Sequence, residues 1–271
     1  MKIGKIFGYL VLAAMAGLVI YPIAFMISLS FQNATQIFSE PGRIIPAEPT
    51  IGNYVKLISE GNILKWLTNS AIVAVSTTIL KLFIDSLAGF AFARLKFRYK
   101  DLLFGLVIAT MMVPVAVTMI PRFLLLKEAG LLNSLWALIL PYLAYPLGIF
   151  LLRQAISEIP EELDEATIMD GGTMFDVYWR VILPLVKPAL AVVAITTFMA
   201  QWVDLLWPVV SINATELRTV TVGVATMKSE QTTNQWGLIM AANTLAVLPI
   251  IVVFLFAQRF FMSGLTAGSV K

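Results

Sequence analysis

Six long apolar runs, separated by polar segments, constrain this chain more than any other feature. The first, Ile6–Phe31, carries no charged residue, and each run is long enough to cross about 30 Å of hydrocarbon as a helix. With 59% hydrophobic and 13% charged residues among 271, a soluble fold could not bury so much apolar surface. The predicted fold class is therefore an all-α polytopic membrane protein with six transmembrane helices, at about residues 6–31, 66–93, 102–126, 129–152, 188–210 and 238–258.

The chain contains neither cysteine nor histidine. The lack of cysteine excludes disulfides, thiol nucleophiles and thiolate metal sites, and the lack of histidine excludes histidine-based triads and the H-E-x-x-H zinc site. We expect no metal site and no nucleic-acid partner. Lys2 and Lys5 precede the first run as in a secretory signal, but the run is roughly twice the length of a signal core, so we expect a retained helix.

The distribution of Lys and Arg predicts the orientation of the chain. An even number of spans places both termini on one side, and most basic residues fall on that side, above all in the short loop Arg94–Lys100. Basic short loops remain in the cytoplasm. We therefore expect one transmembrane domain, residues 1–271, with both termini in the cytoplasm and a long cytoplasmic segment, residues 153–187, between spans four and five.

The segment 153–187 has the sequence signals of two short helices. Pro160 suits the first turn of a helix, and Glu161 and Glu162 follow it where the helix dipole favours negative charge. Gly171-Gly172 should end this helix, and Thr173–Asp176 should begin another with a capping box. Two interpretations remain open: a solvated linker between spans, or a functional segment, since it is longer than neighbouring antiparallel helices need.

The same segment resembles the cytoplasmic EAA loop of ATP-binding-cassette importer permeases. That loop has E-A-A, three residues, G, nine residues and then I-x-L-P, and here Glu165-Ala166-Thr167, Gly171 and Val181–Pro184 take those places, with Thr167 for the second Ala and Val181 for Ile. The resemblance implies a coupling helix that contacts an ATPase. The implied ATPase-coupling residues are Glu161, Glu162, Glu165, Ala166, Thr167, Asp170, Gly171, Leu183 and Pro184.

Further stretches are similar to carbohydrate importers of this family: residues 88–97, 111–121 and 130–134, while the tail 258–271 is similar to that of the smaller permease of maltose-type pairs. The chain has no phosphate-cradling G-x-x-x-x-G-K-[ST] loop. The resemblance thus implies no cofactor in this chain, with ATP and Mg bound by a partner. It implies a bacterial or archaeal cell membrane, two ATPase subunits, a second and different permease, an extracellular solute-binding protein, membrane lipid and a carbohydrate substrate.

Polar side chains inside the spans are costly and usually face a partner or a water-filled path. Lys81 and Asp85 lie four residues apart on one face of span two, and we favour an ion pair over a role in transport. Span five combines polar groups with indoles, which suits a sugar, although Trp is also common at membrane interfaces. Asn243 could line the path or join helices. The candidate substrate-path residues are Asn69, Gln201, Trp202, Asp204 and Asn243.

Two other functional classes compete with the importer permease. An ion-coupled secondary transporter often shows inverted halves, and no internal repeat is visible here. An intramembrane enzyme without His or Cys would need paired aspartates, and neither Asp85 nor Asp204 lies in a recognisable catalytic motif. We therefore expect this chain itself not to be an enzyme.

Overall fold

The computed structural model describes the backbone of residues 2–143, 145–230 and 235–267, and the side chains of residues 5–143, 145–227 and 235–256. Regular structure within these ranges is helical throughout, which confirms the all-α class. The helices, in chain order, are α1 (Lys2–Ser30), α2 (Ala34–Ser39), α3 (Gly52–Ser59), α4 (Ile63–Arg94), α5 (Lys100–Ala109), α6 (Val115–Glu128), α7 (Leu135–Ile139), α8 (Leu147–Ser157), α9 (Glu162–Met169), α10 (Met174–Asp176), α11 (Leu183–Leu185), α12 (Lys187–Val203), α13 (Leu206–Ser211), α14 (Val220–Glu230) and α15 (Trp236–Ala267).

Three of the described helices are each long and apolar enough to cross a membrane: α1, α4 and α15. The number rises to six if each of three bent helix pairs is one span. Those pairs bend by 101° between Lys100–Met112 and Val115–Glu128, by 42° between Leu135–Tyr142 and Leu147–Ser157, and by 75° between Met174–Leu185 and Lys187–Val203. The predicted runs three and four are therefore not single straight helices. The third bend lies just before residue 188, where the fifth run was predicted to begin.

Prolines explain the break in the third run and the two limits of α12. Val113 precedes Pro114 and is extended, as the residue before a proline tends to be. Pro188 stands in the first turn of α12, where its missing N–H costs nothing. The predicted fifth span continued to residue 210, whereas α12 ends at Val203 and Asp204 is extended. Pro208 cannot donate to the carbonyl four residues before it, which is that of Asp204.

The chain groups into two compact units, and the first comprises Met1–Leu67 and Thr219–Pro249. Between α1 and α4 the chain forms the two short helices α2 and α3. The Asn53 side chain on α3 donates to the carbonyls of Ser30 and Gln32, at 2.9 Å each, and so fastens α3 to the end of α1.

The second unit comprises Thr68–Arg218 and Ile250–Lys271, and α4 contributes to two buried clusters within it. Near one end, Val73 of α4 packs with residues of α6, α7 and α13, including Leu138 and Trp207. Towards the other end, Phe90 of α4 packs with Ile156 of α8 and with a group from the segment after α9: Val177, Tyr178, Ile182 and Val186. Between the two clusters lie Lys81 and Asp85.

Candidate functional site

The segment predicted to couple to an ATPase folds into two short helical parts joined by a tight turn. Helix α9 begins at Glu162, so Pro160 lies just before the helix and not in its first turn as predicted. The second part runs from α10 through a π-helical stretch, Val177–Ile182, to α11, with Pro184 in the first turn of α11. We call residues 162–185 the helical knob.

The turn of the helical knob has the predicted chemistry. Gly171 has φ +84°, a left-handed conformation that side chains other than that of glycine adopt at a cost, and there is open space around the position of a Cβ. The capping box of Thr173 and Asp176 is also confirmed. The backbone N–H and hydroxyl of Thr173 donate to the Asp176 carboxylate, and these bonds lower its pKa below 3.8.

Most of the predicted coupling side chains lie on the exposed surface of the helical knob. The exposed ones are Glu161, Glu162, Glu165, Ala166, Asp170, Gly171 and Pro184, while Thr167 and Leu183 are half-buried. Large apolar side chains are exposed beside them, with Met169 at 86% and Phe175 at 68%. A groove of about 400 Å³ runs along α9 between Glu161, Glu165, Ile168 and Met174. The knob thus offers acids, small residues and apolar groups to a partner surface.

Arg94, the last residue of α4, joins that helix to α9 of the helical knob. Its Nε lies 2.6 Å from Oδ2 of Asp164 on α9, and its Nη2 donates to the carbonyl of Ile159 at 2.6 Å. The Arg94 side chain is only 4% exposed. Burial raises the pKa of the Asp164 carboxyl above 3.8, and the neighbouring guanidinium offsets part of that rise.

A second attachment between α4 and the knob is uncharged. The Tyr178 hydroxyl and Ser86 Oγ are hydrogen-bonded at 2.8 Å in a buried position, and the Tyr178 ring packs on Phe90 with centroids 5.3 Å apart. Ser86, Phe90 and Arg94 recur every four residues and therefore lie along one face of α4. The knob is thus fixed to α4 over more than two helical turns.

The predicted ion pair inside span two is confirmed. Lys81 Nζ lies 2.6 Å from Asp85 Oδ2 and also donates to the carbonyl of Tyr145, in the break between α7 and α8. Asp85 is 0% exposed and faces Gly148 of α8. A Cβ on Gly148 would lie 2.7 Å from Asp85 Cγ and closer still to its Oδ2, so this approach of α4 and α8 requires glycine.

Gln201 lies beside this pair. It is 6% exposed and lines a cavity of about 110 Å³ together with Lys81, Tyr145, Thr196 and Thr197. The cavity has room for a few waters or one polar group. Its walls are mostly apolar, with a few hydroxyl groups and the Gln201 amide among them, while the Lys81 ammonium group is bound to Asp85 and to the Tyr145 carbonyl. Of the predicted substrate-path residues, Gln201 is the one placed on this cavity.

The other candidates on α12 and beyond have specific partners. Asp204 accepts a hydrogen bond from the Tyr142 hydroxyl, and Arg122 lies 5.5 Å from the centroid of the Tyr142 ring. Trp202 is 3% exposed and stacks on Phe198 with centroids 5.5 Å apart. Trp202 is thus packed inside the second unit, while the half-buried Asp204 is bound by the segment that follows α7.

The remaining two candidates are bound to main chain. Asn69 donates to the carbonyls of Glu216 and Arg218 at 2.7 and 3.0 Å, which occupies both hydrogens of its amide group and fastens the 3-10 turn Thr215–Leu217 to α4. Asn243 belongs to the first unit and donates to the carbonyl of Ile239 one turn earlier on α15. Their place in a substrate path stays a prediction.

Sequence reasoning missed three residues that organise these sites. Asp164 was one of many acids in its segment, and Arg94 was used only to orient the chain. Nothing in the sequence near Gly148 indicates that glycine is required there, because the group that excludes a side chain is the Asp85 carboxylate on α4. Such partners are brought together only by the tertiary fold.

Comparison with known proteins gives a consistent family. Residues 85–266 match the family described as "Binding-protein-dependent transport system inner membrane component". The chain is 35% identical over 229 residues, 84% of this chain and 81% of the relative, to an arabinooligosaccharides transport system permease protein of Bacillus subtilis. It is 31% identical over 261 residues, 95% of this chain and 93% of the relative, to a trehalose/maltose transport system permease protein of Thermococcus litoralis.

A solved structure shares the fold. A chain in the crystal structure of a bacterial transporter involved in the import of the acidic polysaccharide alginate superposes with a TM-score of 0.87 at 21% sequence identity. The match covers 96% of this chain and 97% of that chain. This chain therefore shares its fold with a chain of that transporter.

Proposed function

Because the chain belongs to the family of inner membrane components of binding-protein-dependent transport systems, we propose that it is one permease subunit of an ATP-binding-cassette importer for carbohydrates. It forms the path with a second, different permease. Two separate ATPase subunits bind ATP and Mg and supply the energy, and an extracellular solute-binding protein delivers the substrate. Family membership favours this function over the ion-coupled transporter and the intramembrane enzyme.

The substrate class rests on relatives whose printed substrates differ in detail but not in chemistry. Those of the two relatives and the solved transporter are arabino-oligosaccharides, trehalose or maltose, and alginate, which are all carbohydrates. In this chain, the hydroxyl and amide groups around the 110 Å³ cavity suit sugar hydroxyls. Gln201 is the residue that we place on that path, and Trp202 and Asp204 follow it closely in the chain.

The coupling role rests on one observation: an exposed helical knob is tied to α4 at its base and open on its outer face. The knob joins acidic, small and apolar exposed side chains, the combination suited to docking in a partner's cleft. ATP-driven closure of the ATPase subunits must move membrane helices. The knob is attached to α4 by the Arg94–Asp164 and Tyr178–Ser86 contacts, so a movement of the knob would also move α4. Glu165 pairs there with a basic group, and Ala166 allows close approach.

The orientation follows from the basic residues. We place six spans in the membrane, with both termini and the knob in the cytoplasm. Ser157 is exposed at the end of α8, and the chain has no cysteine of its own, so Ser157→Cys gives a clean label site. It should resist an impermeant external maleimide in intact cells and react after permeabilisation. Labelling in intact cells would contradict this orientation.

Affinity purification of the tagged chain from its native membrane tests the coupling role. The wild type should recover an ATPase and a second permease, whereas Gly171→Leu and Glu165→Lys should lose ATPase recovery or the stimulation of hydrolysis by the solute-binding protein. Gly130 is also left-handed, with φ +67° and open space for a Cβ, but lies outside the knob. Gly130→Leu therefore imposes similar backbone strain and should retain the ATPase. Normal assembly and hydrolysis in both knob variants would reduce this segment to a linker.

The substrate class is tested on the purified complex with its solute-binding protein. Arabino-oligosaccharides, maltose, trehalose and alginate oligosaccharides are compared with amino acids and short peptides as stimulants of ATP hydrolysis. At least one carbohydrate should stimulate. Stimulation by an amino acid or peptide, with none by any carbohydrate, would contradict the assignment.

A further inference from the structure

One arginine, Arg94, contacts both the helical knob and the segment that leads into it. The Arg94 guanidinium reaches Asp164 within α9 and the carbonyl of Ile159 in the chain that leads into α9. The contact with Asp164 is an ion pair, and the contact with Ile159 is a hydrogen bond donated by Nη2. Because a guanidinium is rigid and planar, two contacts from one such group fix orientation as well as distance. Arg94 therefore sets how α9 is oriented against the end of α4.

The ion pair lies at the bottom of the groove along α9 and is largely buried there. The side chains of Arg94 and Asp164 are 4% and 12% exposed. Breaking a pair in such surroundings leaves an uncompensated charge, so α9 cannot slide along α4 without a large penalty. A solvated linker would have no need of such an attachment.

The helix on the other side of this attachment is continuous into the membrane. From Arg94, α4 runs without a break past Phe90 and Ser86 to Asp85, which touches Gly148 of α8. A displacement of Arg94 should therefore move this continuous helix as one body. Helix α4 also carries the Lys81–Asp85 pair, and Lys81 lines the 110 Å³ cavity.

We propose that Arg94 is a positioning residue of transport: through Asp164 and the Ile159 carbonyl it transmits the movement of α9 to α4. This inference rests on the proposed function, because α9 moves only if an ATPase holds it. The Tyr178–Ser86 bond keeps the knob in place, while the Arg94 pair is the contact that sets the direction in which α4 is moved.

The test follows α4 directly in the full complex. Phe83 is 58% exposed and lies on α4 between the cavity and the knob, so a single Phe83→Cys carrying bimane reports on that helix. Emission is compared without nucleotide and after trapping with ATP and vanadate. The wild type should show a shift. The double variant Arg94→Gln/Asp164→Asn removes the pair without leaving a buried charge, and it should lose most of the nucleotide-dependent shift.

Two further variants separate transmission from folding. Arg94→Lys retains the charge but loses the planar fork, and should assemble with part of the shift. Arg98→Gln is a matched control, since Arg98 is exposed and its guanidinium stacks on the Tyr99 ring; it should behave as the wild type. An undiminished shift in the double variant, or none in the wild type, would overturn the inference alone. A wild-type chain that recovers no ATPase would overturn the proposed function.

Discussion

Two ion pairs have their cation on helix α4, Lys81–Asp85 and Arg94–Asp164, and their contacts are similar. In each the cation is on α4, binds one carboxylate oxygen at 2.6 Å, and also donates to a main-chain carbonyl outside α4. In each the second carboxylate oxygen, Oδ1, finds no hydrogen-bond partner among the residues that the structure describes.

The two pairs differ in where the carboxylate comes from. Asp85 lies one turn after Lys81 on the same helix and is fully buried, so this pair closes within α4 and mainly hides two charges from lipid. Asp164 lies on α9, so the second pair joins two elements and sits where water is nearer. The same chemistry is thus used for stability inside the membrane and for connection at its edge.

The most damaging change should be Gly148→Ala. The added methyl would occupy the position of the Asp85 carboxylate, so either α8 moves away or the ion pair breaks. We expect a loss of about 3–5 kcal/mol from the pair and about 1–3 kcal/mol from overpacking. Unfolding of the purified chain by SDS in mixed micelles measures this. Gly105→Ala on α5, where a Cβ meets open space, is the control and should be neutral or stabilising. Equal stability of both variants would show that α4 and α8 do not approach so closely.

Single neutral replacements in the inner pair should come next. Lys81→Met or Asp85→Asn leaves the other charge buried without a partner, which should lower the free energy of unfolding by about 3–5 kcal/mol. The double variant should recover much of that loss. The same unfolding titration gives the coupling between the two residues. A double variant as unstable as the worse single one would give Lys81 and Asp85 separate roles, for example towards the cavity that Lys81 lines.

This comparison shows what the sequence can and cannot predict. Lys81–Asp85 was predictable because both partners lie on one helix and helical spacing is known in advance. The turn at Gly171 and the capping box at Thr173 were predictable for the same reason, since each depends on a few adjacent residues. The apolar runs gave the helical class from length alone.

Features that depend on distant contacts were not predictable. Nothing near Arg94 indicates that its partner is Asp164, and nothing near Gly148 indicates that a carboxylate lies opposite. The break at Val113 in the third run and the break at Asp204 in the fifth were missed because a hydropathy count does not register the backbone restrictions that a proline imposes. The runs were right in apolar character and wrong in continuity.

The outer pair should respond to pH once its cation is removed. In Arg94→Gln, the guanidinium that offsets the burial of Asp164 is lost, so the pKa of this carboxyl rises further above 3.8. A folded-state pKa above the unfolded value means that protonation favours the folded state, so the penalty is full above the folded pKa and is relieved as pH falls through it. The difference in melting temperature between wild type and Arg94→Gln should therefore narrow on acidification.

The control for that experiment is Asp164→Asn in the same background, which has no carboxyl to titrate. The double variant should keep a constant difference from Asp164→Asn across the same pH range. We expect a smaller effect than for Lys81→Met, because the Asp164 side chain is 12% exposed whereas that of Asp85 is 0% exposed. If the difference in melting temperature between wild type and Arg94→Gln did not change with pH, water would already solvate the Asp164 carboxylate in the variant.

The smallest effect should come from the uncharged attachment of the knob, Tyr178–Ser86. Tyr178→Phe keeps the ring on Phe90 and removes one hydroxyl, so it should cost about 1 kcal/mol, the usual net value of a hydrogen bond, plus part of the cost of leaving the buried Ser86 hydroxyl with one partner fewer. Ser86 Oγ can still donate to the carbonyl of Phe83 at 3.1 Å, which limits that second cost. Ser86→Ala/Tyr178→Phe should therefore be little less stable than Tyr178→Phe alone.

ATP-dependent movement of α4 should persist in both variants, because the charged pair Arg94–Asp164 remains. If Tyr178→Phe abolished that movement while Arg94→Gln/Asp164→Asn retained it, the neutral contact would be the one that transmits force, and the contrast between the two pairs would concern stability alone.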